Sequence, residues 1–575
     1  MKVALTDSAA KRLAWICLAA AVLLAAGRRL SDPDLPWHLA VGRAAAAARA
    51  TIKADAWSYT FAGRPVPYEY ASDLALYAVQ RWAGFPGLHL LAAFAIGAMA
   101  WTLARDPRAD PAVGLAGSAL AVAAVSPFFI LRPALFSFTF FALVLWILNK
   151  HRQKERSCWL WLLVPVQLLW ANVHGFAILG AATAWVYAVS KPSRKAFAAS
   201  LAATLATYLS PFGPGIFMGP WQVRALSRSM AEWAPASWDL FIRYDPALGL
   251  LCVLALAALL WGRETDGSRR PPLFDLLLLA GAAILMLARF RLAPFFAIIA
   301  APFAVQRLRP LVQSRGWLPT AALACGLLAP AAVAARGEVP WGVGFDPGRL
   351  PEGAARFIAQ ALPQGPVYND VAFGGYLIWR LQPGVPVFVD GRSARLYPPD
   401  FIIEARSAMY DPAAFSRLES RHGFQWAVVN AWPGSAAGLP LAASSDWAMV
   451  YLDESAAVYV KTDGPNRLSA GQGYQGLRHL TPWPLLLEER IPRKALEHDA
   501  ALALSQAPDS PRALFWAAAA ALRRGDAPLA RLRRERIARL ASGNPGLPLL
   551  DRMLRLAEAR GPAEIPIPKA ATAIW

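Results

Sequence analysis

The stretch ALFSFTFFALVLWILN (134–149), KHRQKER (150–156) and CWLWLLVPVQLLWA (158–171) consists of an apolar segment, a basic loop and a second apolar segment. A helix of about 20 apolar residues crosses the hydrocarbon of a bilayer. The same alternation continues along the first half of the chain, which predicts a polytopic α-helical membrane protein with about 11 spans, some short or abutting. The predicted spans are 12–28, 87–105, 112–131, 134–149, 158–171, 174–190, 195–210, 247–262, 273–289, 292–308 and 317–335.

The composition of the 575 residues agrees with this prediction. Hydrophobic residues make up 56% of the chain and charged residues only 17%, against roughly a quarter in soluble domains. The net charge of +20 divides into +16 for residues 1–340 and +4 for the remainder. A basic excess can indicate nucleic acid, but here it belongs to the apolar part, so we expect no nucleic-acid partner. The four cysteines form no CxxC pair and predict no zinc site.

Five basic loops predict the orientation. Short loops rich in Lys and Arg stay in the cytoplasm, so the N-terminus is expected inside and everything after about residue 340 outside. High Ala, Arg and Trp content together with an outer domain suggests a bacterial inner membrane, with the C-terminal region in the periplasm or the exterior. The five loops are 105–108, 150–156, 191–195, 263–270 and 307–315.

Nearly all polar groups suited to chemistry then fall at span ends on the predicted outer side. Lys and Arg alone assign the topology, so the placement of the other polar groups is independent of that assignment. It predicts one outward-facing site assembled from several helix ends. The groups are Asp32, Asp34, His38, Glu69, Arg132, Asn172, His174, Glu232 and Arg291.

Several motifs occur in order along this region: DPDLPWHLAVGR (32–43), ADAWSYT (54–60), GRPVPYE (63–69), RPALFS (132–137), WANVHG (170–175) and RLAPFF (291–296). This set resembles bacterial polytopic membrane proteins with a GT-C glycosyltransferase-like architecture, over most of residues 30–300. A further segment, from YNDVAFGGYLIWR to FVDGR (368–392), resembles the soluble domain that usually follows in that group.

The resemblance implies a sugar transfer from a polyprenyl-phosphate carrier to an acceptor on the outer face. In GT-C enzymes an acidic residue of the first outer loop acts on the acceptor nucleophile, which makes Asp32 and Asp34 candidate catalytic residues. A carboxylate can accept the hydroxyl proton while the phosphate leaves. The alternative is that one or both cap the helix beginning near Leu35, because Asp is a favoured N-cap. Glu69 is a second candidate acid, with a rim residue or a cap as its alternative.

Three positions depart from the pattern of the group. Tyr68 stands where a His is common, Pro36 where a second Trp is common, and Ser210 where an Asn is common. These departures weaken any role that depends on the absent histidine.

Other span ends supply candidate substrate-binding residues. Arg can hold a phosphate through two parallel hydrogen bonds, which favours Arg132 and Arg291; snorkelling to the interface is the alternative. The remaining members of this set are His38, Asn172, His174 and Glu232. Asn172 could equally join two helices by hydrogen bonding.

His38 lies four residues after Asp34, so the two would share one face of a helix. Some GT-C enzymes require a divalent metal, and such a cluster could bind one. A single His with two Asp is a weak metal pattern, so we assign no metal ligand, and a packed interfacial histidine is the alternative. The segment 35–49 itself reads as an amphipathic helix lying in the outer interface.

From about residue 345 the pattern changes to alternating strands and helices, which predicts a small open α/β sheet. The predicted strands are 366–369, 386–390, 426–430, 447–452 and 456–460. Asn369, Asp370, Asp390, Arg392 and Asn430 fall at strand ends, where ligands of such sheets gather. The same residue types are also common in ordinary turns.

The predicted domains are a transmembrane GT-C-like domain (1–340), an outer-face soluble α/β domain (341–463), a linker (464–494) and a helical, tetratricopeptide-like tail (495–575). Turn-like stretches at 507–514 and 542–548 recur at a spacing near that of helical-hairpin repeats, about 34 residues. Fewer than three repeats are rarely stable alone, so we expect the tail to dock on the α/β domain or on a protein partner.

The leading hypothesis is a membrane glycosyltransferase using a polyprenyl-phosphate-linked sugar and a glycan, lipid or protein acceptor, in contact with membrane lipid. The alternative is a non-catalytic scaffold or partner-binding subunit of an envelope glycan assembly system. A transporter is disfavoured because the polar groups cluster at one face rather than at the middle of the membrane.

Overall fold

A computed structural model of the chain describes residues 7–155, 158–217, 233–264, 266–313, 318–335, 340–432, 434–487, 490–541, 543–544 and 546–560. The chain divides into two compact units. The first unit contains Met1–Lys53 and Pro65–Phe345, and the second contains Ala54–Arg64 and Asp346–Trp575. The segment Ala54–Arg64, which the predicted bounds place in the transmembrane domain, therefore belongs to the second unit.

The first unit is helical. Its helices are α1 (Asp7–Ala26), α2 (Leu35–Ala48), α3 (Tyr70–Ala104), α4 (Pro111–Val125), α5 (Pro133–Lys154), α6 (Cys158–Trp161), α7 (Leu163–Val173), α8 (Ala177–Ser190), α9 (Arg194–Tyr208), α10 (Pro246–Leu260), α11 (Leu273–Ala288), α12 (Ala293–Gln313) and α13 (Leu318–Ala334).

Each predicted span coincides with helix, but the number of membrane crossings stays a prediction. Among the described residues, four helices are long and apolar enough to cross: Tyr70–Ala104, Pro111–Phe128, Pro133–Lys154 and Phe290–Pro310. Several others, including Ala177–Ser190 and Leu273–Ala288, are apolar but shorter.

Helix α3 has 35 residues, more than a bilayer requires, and a kink divides it into two parts. Gly84 has φ +60°, a conformation that residues with a Cβ rarely adopt, and Pro86 follows it. The part after the kink coincides with the predicted span 87–105, and the part before it carries polar residues of the candidate site.

Small residues and exposed apolar residues show how the unit packs. The Ala-rich helix α4 is almost completely buried, and a Cβ on Gly114 would lie 2.4 Å from the carbonyl oxygen of Ala104 in α3. Close packing through small residues is typical of helices in membranes. Large apolar side chains such as Leu90, Phe94 and Ile284 are instead mostly exposed, as expected of a surface that faces lipid.

The first half of α2 is buried on every face, from Leu35 to Gly42, because it packs closely against α3. Its last turn, Ala46–Ala48, is exposed. The predicted position of residues 35–49 in the outer interface stays a prediction.

The second unit contains a four-stranded sheet with the order β1-β2-β4-β3. Its strands are β1 (Val367–Asn369), β2 (Trp426–Asn430), β3 (Trp447–Leu452) and β4 (Ala456–Lys461). β1 and β2 are parallel, whereas β4 is antiparallel to both β2 and β3. Its helices are α14 (Glu352–Ala361), α15 (Val371–Leu381), α16 (Pro399–Ser407), α17 (Pro412–His422), α18 (Leu439–Ala443), α19 (Arg467–Gly471), α20 (Arg493–Gln506), α21 (Pro511–Arg523), α22 (Ala527–Leu540) and α23 (Leu547–Arg560).

The predicted strand 386–390 is not a member of this sheet. Its single ladder contact is an isolated bridge from Val387 to Ser58 of the segment 54–64. The buried side chain of Asn369 instead links it to β1, accepting from the amide of Phe388 and donating to the carbonyl of Val389. The apolar run is therefore buried, but side-chain hydrogen bonds replace a ladder that sequence patterns would predict.

The segment 54–64 is anchored by a buried ionic network. The Arg392 guanidinium forms ion pairs with Asp55 and with Asp390 and lies over the ring of Trp57. Tyr397 donates a further hydrogen bond to Asp390 at 2.7 Å. Burial raises the pKa of Asp390, but the charge and hydrogen bonds of Arg392 outweigh it and hold that pKa below its usual value.

The C-terminal helices pack against β3, the strand at one edge of the sheet. Gln506 at the end of α20 donates to the carbonyl oxygen of Val450 and accepts from the amide of Leu452, both in β3. An uncovered edge strand would offer free backbone groups to other chains. The tail thus docks on the α/β part of its own unit, as expected; its tetratricopeptide character stays a prediction.

Replacing Arg392 with Met should destabilise the second unit by about 3–5 kcal/mol, because two buried carboxylates lose their cation. Thermal unfolding and limited proteolysis of the full chain measure this effect. Arg421→Met is the matched control, since the Arg421–Glu404 pair is exposed and such pairs contribute little. Equal stability of the two variants would contradict a structural role for the network.

Candidate functional site

The close approach of α2 to α3 brings the candidate residues together. A Cβ on Gly42 would lie only 2.1 Å from the carbonyl oxygen of Asp73, so the two backbones touch at this position. His38 lies one helical turn before Gly42 on the same face. The absence of a side chain at residue 42 therefore sets the distance between His38 and the first turn of α3.

Asp32 caps the start of α2. Its Oδ1 accepts from the amides of Asp34 at 2.8 Å and Leu35 at 3.1 Å. These are backbone donors that the first turn of a helix leaves without internal partners. The capping alternative is therefore the one that describes Asp32, whose carboxylate is almost fully buried.

Asp34 makes no such cap bond and is the more accessible of the two carboxylates. Its Oδ1 accepts from the indole of Trp37 at 3.3 Å, and its side chain is 25% exposed against 5% for Asp32. Arg132, at the start of α5, lies beside both: its Nη1 is 3.4 Å from Asp32 Oδ2 and 3.5 Å from Asp34 Oδ2. The structure thus joins one cation and two carboxylates from two predicted span ends.

A second cluster is buried beside this group. His38 Nδ1 lies 2.6 Å from Asp73 Oδ1 and 3.9 Å from Glu69 Oε2. His174 approaches the same glutamate from α7, with Nε2 3.7 Å from Glu69 Oε1. Glu69 is completely buried, and both imidazoles approach its carboxylate.

Hydrogen bonds fix the ring of His174. The amide of Phe176 donates to its Nδ1 at 3.2 Å, and Ser137 Oγ lies 3.1 Å from the same atom. Trp170 in turn donates to Ser137 Oγ at 2.9 Å. An Nδ1 that accepts carries no proton, so the neutral ring keeps its proton on Nε2, the atom that faces Glu69.

The ligand atoms of His38, Glu69 and Asp73 lie within 4.8 Å of one another, all in buried side chains. One imidazole nitrogen and two carboxylate oxygens fit a divalent transition metal such as Mn²⁺ or Zn²⁺. Mg²⁺ fits less well, because it usually keeps several waters. The donors therefore differ from the His38, Asp32 and Asp34 set that the sequence suggested.

Two predicted site residues, Asn172 and Arg291, have other surroundings. Asn172 donates to the carbonyls of Leu168 and Leu209, so it joins α7 to the end of α9, as its alternative reading holds. The guanidinium of Arg291 lies 5.0 Å from the ring centroid of Trp233. Glu232 lies outside the described residues.

Sequence reasoning missed Asp73 and Ser137. Asp73 follows Glu69 by four residues, a spacing that places both on one face of a helix, and this signal could have identified it. Ser137 ends the motif RPALFS (132–137), but the motif assigns it no role, because its contact depends on the position of Trp170 in another helix.

The polar residues at strand ends of the second unit are structural. Asp370 caps α15 through the amide of Ala372 and accepts from the side chain of Asn430. Burial raises the pKa of Asp370. Together with the Asp390 and Arg392 network, these contacts satisfy the turn alternative rather than a ligand site.

No family model and no curated protein matches the chain. Its structure is similar to that of the archaeal oligosaccharyltransferase AglB from Archaeoglobus fulgidus in complex with an inhibitory peptide and a dolichol-phosphate, with 12% identity, a TM-score of 0.49, and coverage of 73% of this chain and 69% of that one. ArnT from Cupriavidus metallidurans in the apo state gives 14% identity and a TM-score of 0.46, covering 78% of this chain and 97% of that one. The arabinofuranosyltransferase AftD from Mycobacteria, in a mutant form, gives 15% identity and a TM-score of 0.42, covering 78% of this chain and 41% of that one.

Proposed function

We propose that this chain is a membrane glycosyltransferase that moves a sugar from a polyprenyl-phosphate-linked donor to an acceptor hydroxyl on the outer face of a bacterial inner membrane. The observation that carries the proposal is the placement of Arg132 between Asp32 and Asp34. A cation for a phosphate and a carboxylate for a hydroxyl proton are the two groups that this transfer needs.

The transfer is balanced as follows. The acceptor oxygen forms a bond to the anomeric carbon, and the bond from that carbon to the phosphate oxygen breaks. The electron pair leaves with the polyprenyl phosphate, and the hydroxyl proton passes to the carboxylate of Asp34. Asp34 is preferred to Asp32 as the base because one oxygen of Asp32 is already committed to the helix cap.

Arg132 is the proposed phosphate ligand. Its distances of 3.4 and 3.5 Å to the two carboxylates exceed the roughly 2.7–2.9 Å of a tight charge-assisted bond. A phosphate could therefore replace one of these contacts without breaking a strong ion pair. Asp34 would then lose a positive neighbour and become a better proton acceptor.

We further propose that His38, Glu69 and Asp73 hold a divalent metal. Such an ion would supply positive charge beside the leaving phosphate. The chain's own residues hold the three donors in place through the contact of α2 with α3 and through the approach of His174 Nε2 to within 3.7 Å of Glu69 Oε1.

A non-catalytic scaffold is the second candidate. The observation that favours it is the nearly complete burial of Asp32, Glu69 and Asp73, which is common among residues that only stabilise a fold. Sugar transfer by the purified protein distinguishes the two candidates.

Asp34→Asn should lower the rate of transfer by about 10²–10⁴-fold, the usual contribution of a general base. Asp32→Asn should lower it less, because Asn also caps helices and keeps the acceptor oxygen. The measurement is transfer of labelled sugar from polyprenyl-phosphate donors in proteoliposomes. Full activity in both variants would rule out the proposed base.

Arg132→Lys should raise the KM for the donor about tenfold or more, because Lys cannot form two parallel bonds to a phosphate. Arg289→Lys is the matched control, because Arg289 lies directly after α11 and its guanidinium donates to the carbonyl oxygen of the preceding residue, Ala288. Steady-state kinetics with varied donor measure the effect. A change confined to kcat, or an equal change in both variants, would argue against phosphate binding by Arg132.

The wild-type chain should bind one Mn²⁺, and Asp73→Asn should weaken that binding about tenfold or more by removing one anionic ligand. Electron paramagnetic resonance titration of free Mn²⁺ measures it directly, without reference to activity. Asp106→Asn serves as the control, because Asp106 is a buried carboxylate away from these three donors. Equal affinities in all three proteins would show that His38, Glu69 and Asp73 form a hydrogen-bonded cluster and not a metal site.

A further inference from the structure

The basic charge of the second unit is concentrated at its C-terminal end. Residues 341–522 contain 15 basic and 17 acidic residues, a net charge of −2. Residues 523–560 contain 10 basic and 4 acidic residues, a net charge of +6. This short region includes α22 and α23 and differs in sign from the sheet region before it. The proposed sugar transfer does not use it.

Helix α22 has a buried face and an exposed basic face. Ala530 and Ile537 are completely buried. Leu532 and Arg539 are seven residues apart, so they share one side of the helix, and both are exposed. Leu540, at the end of the helix, is also exposed. Large apolar side chains beside arginines on an exposed helix face are typical of helices that lie in a membrane interface.

Helix α23 adds further cations beside this face. Arg534 of α22 pairs with Asp551 of α23, with 2.7 Å between Nε and Oδ1, so the two helices lie side by side. Arg552 and Arg555 of α23 are exposed, whereas Met553 between them is buried. The two arginines therefore lie on the side of α23 that faces away from the core of the unit.

The positive charges at this place keep their full effect. Within the part of the chain that the structure describes, the guanidinium groups of Arg539, Arg552 and Arg555 have no ion pair and no hydrogen bond. We call these three residues, with Leu532 and Leu540, the α22–α23 surface. It offers three cations and two large apolar side chains to a partner that is both anionic and apolar.

A phospholipid membrane is the partner with this combination. Helices of the first unit are long and apolar enough to cross a bilayer, so the second unit is tethered to a phospholipid surface at a high effective concentration. Each basic residue beside an anionic bilayer strengthens binding by about fivefold, and exposed leucines can enter the interface. An acidic protein would match the arginines but give the leucines no such environment.

We propose that the α22–α23 surface binds the anionic phospholipids of a membrane, with Arg539, Arg552 and Arg555 at the phosphates and with Leu532 and Leu540 in the interface. This contact would hold the second unit at the membrane surface. It is independent of the proposed sugar transfer, since none of its residues belongs to the candidate site.

The test uses the full chain in lipid nanodiscs. A photoreactive benzophenone amino acid replaces Leu532, and mass spectrometry identifies what it is linked to after illumination. Discs of phosphatidylcholine with phosphatidylglycerol should give about tenfold or more lipid adduct than discs of phosphatidylcholine alone. High salt should lower the yield, because it screens exposed charges. The same label at Leu468, an 86% exposed residue of α19, is the positional control and should give little lipid adduct.

A triple variant tests the cations themselves. Arg539→Gln with Arg552→Gln and Arg555→Gln should lower the lipid adduct at residue 532 about tenfold or more. Arg417→Gln with Arg421→Gln and Arg467→Gln is the matched control, because it removes three exposed positive charges from other parts of the second unit. All six residues are exposed, so thermal unfolding should be unchanged in both variants.

Three results would overturn the proposal. Equal adduct yields in the two kinds of disc would show that anionic headgroups are not bound. An equal loss in the two triple variants would reduce the effect to net charge and remove any role of this surface. Adducts at residue 532 with protein instead of lipid would identify a protein interface in its place.

Discussion

The cost of placing an unpaired charge among apolar helices governs the first unit. Several of its charged side chains lie at helix ends and meet partners from other helices. Asp32, Glu69 and Arg132 do so near the starts of α2, α3 and α5, and Arg108 and Asp275 do so where α3 ends and α11 begins. Two polar regions at different ends of the helices are the consequence. One has the cation and carboxylate that the proposed sugar transfer would use, and in the other the charges pair with one another.

The site depends on backbone contact as much as on charge. Because residue 42 has no side chain, α2 can touch α3, and His38 then reaches Asp73. The same packing buries the first turns of α2 on every face and leaves only its last turn exposed. The two aspartates also differ in burial. Asp32 is almost fully buried and accepts from the amides of its helix, whereas the side chain of Asp34 is more exposed.

The segment 54–64, which lies between α2 and α3 in the sequence, belongs to the second unit. Segment 54–64 leaves after α2, pairs Asp55 with Arg392, and returns before α3. Nothing in its composition distinguishes it from a loop of the membrane domain. The burial of Asp55 depends on a cation more than 300 residues away in sequence, which no local pattern predicts.

The sequence by itself determined the apolar helices, the alternating second region and most residues of the candidate site, because these follow from local periodicity, from loop charge and from motifs. Tertiary structure alone decided which residues meet. It paired His38 with Asp73 rather than with Asp34, gave Asn172 to a helix contact, and replaced the predicted strand at 386–390 with side-chain bonds from Asn369. Periodicity specifies which face of a helix is apolar, but the partner of a polar atom depends on the packing of distant segments, and the energy of that packing is not local.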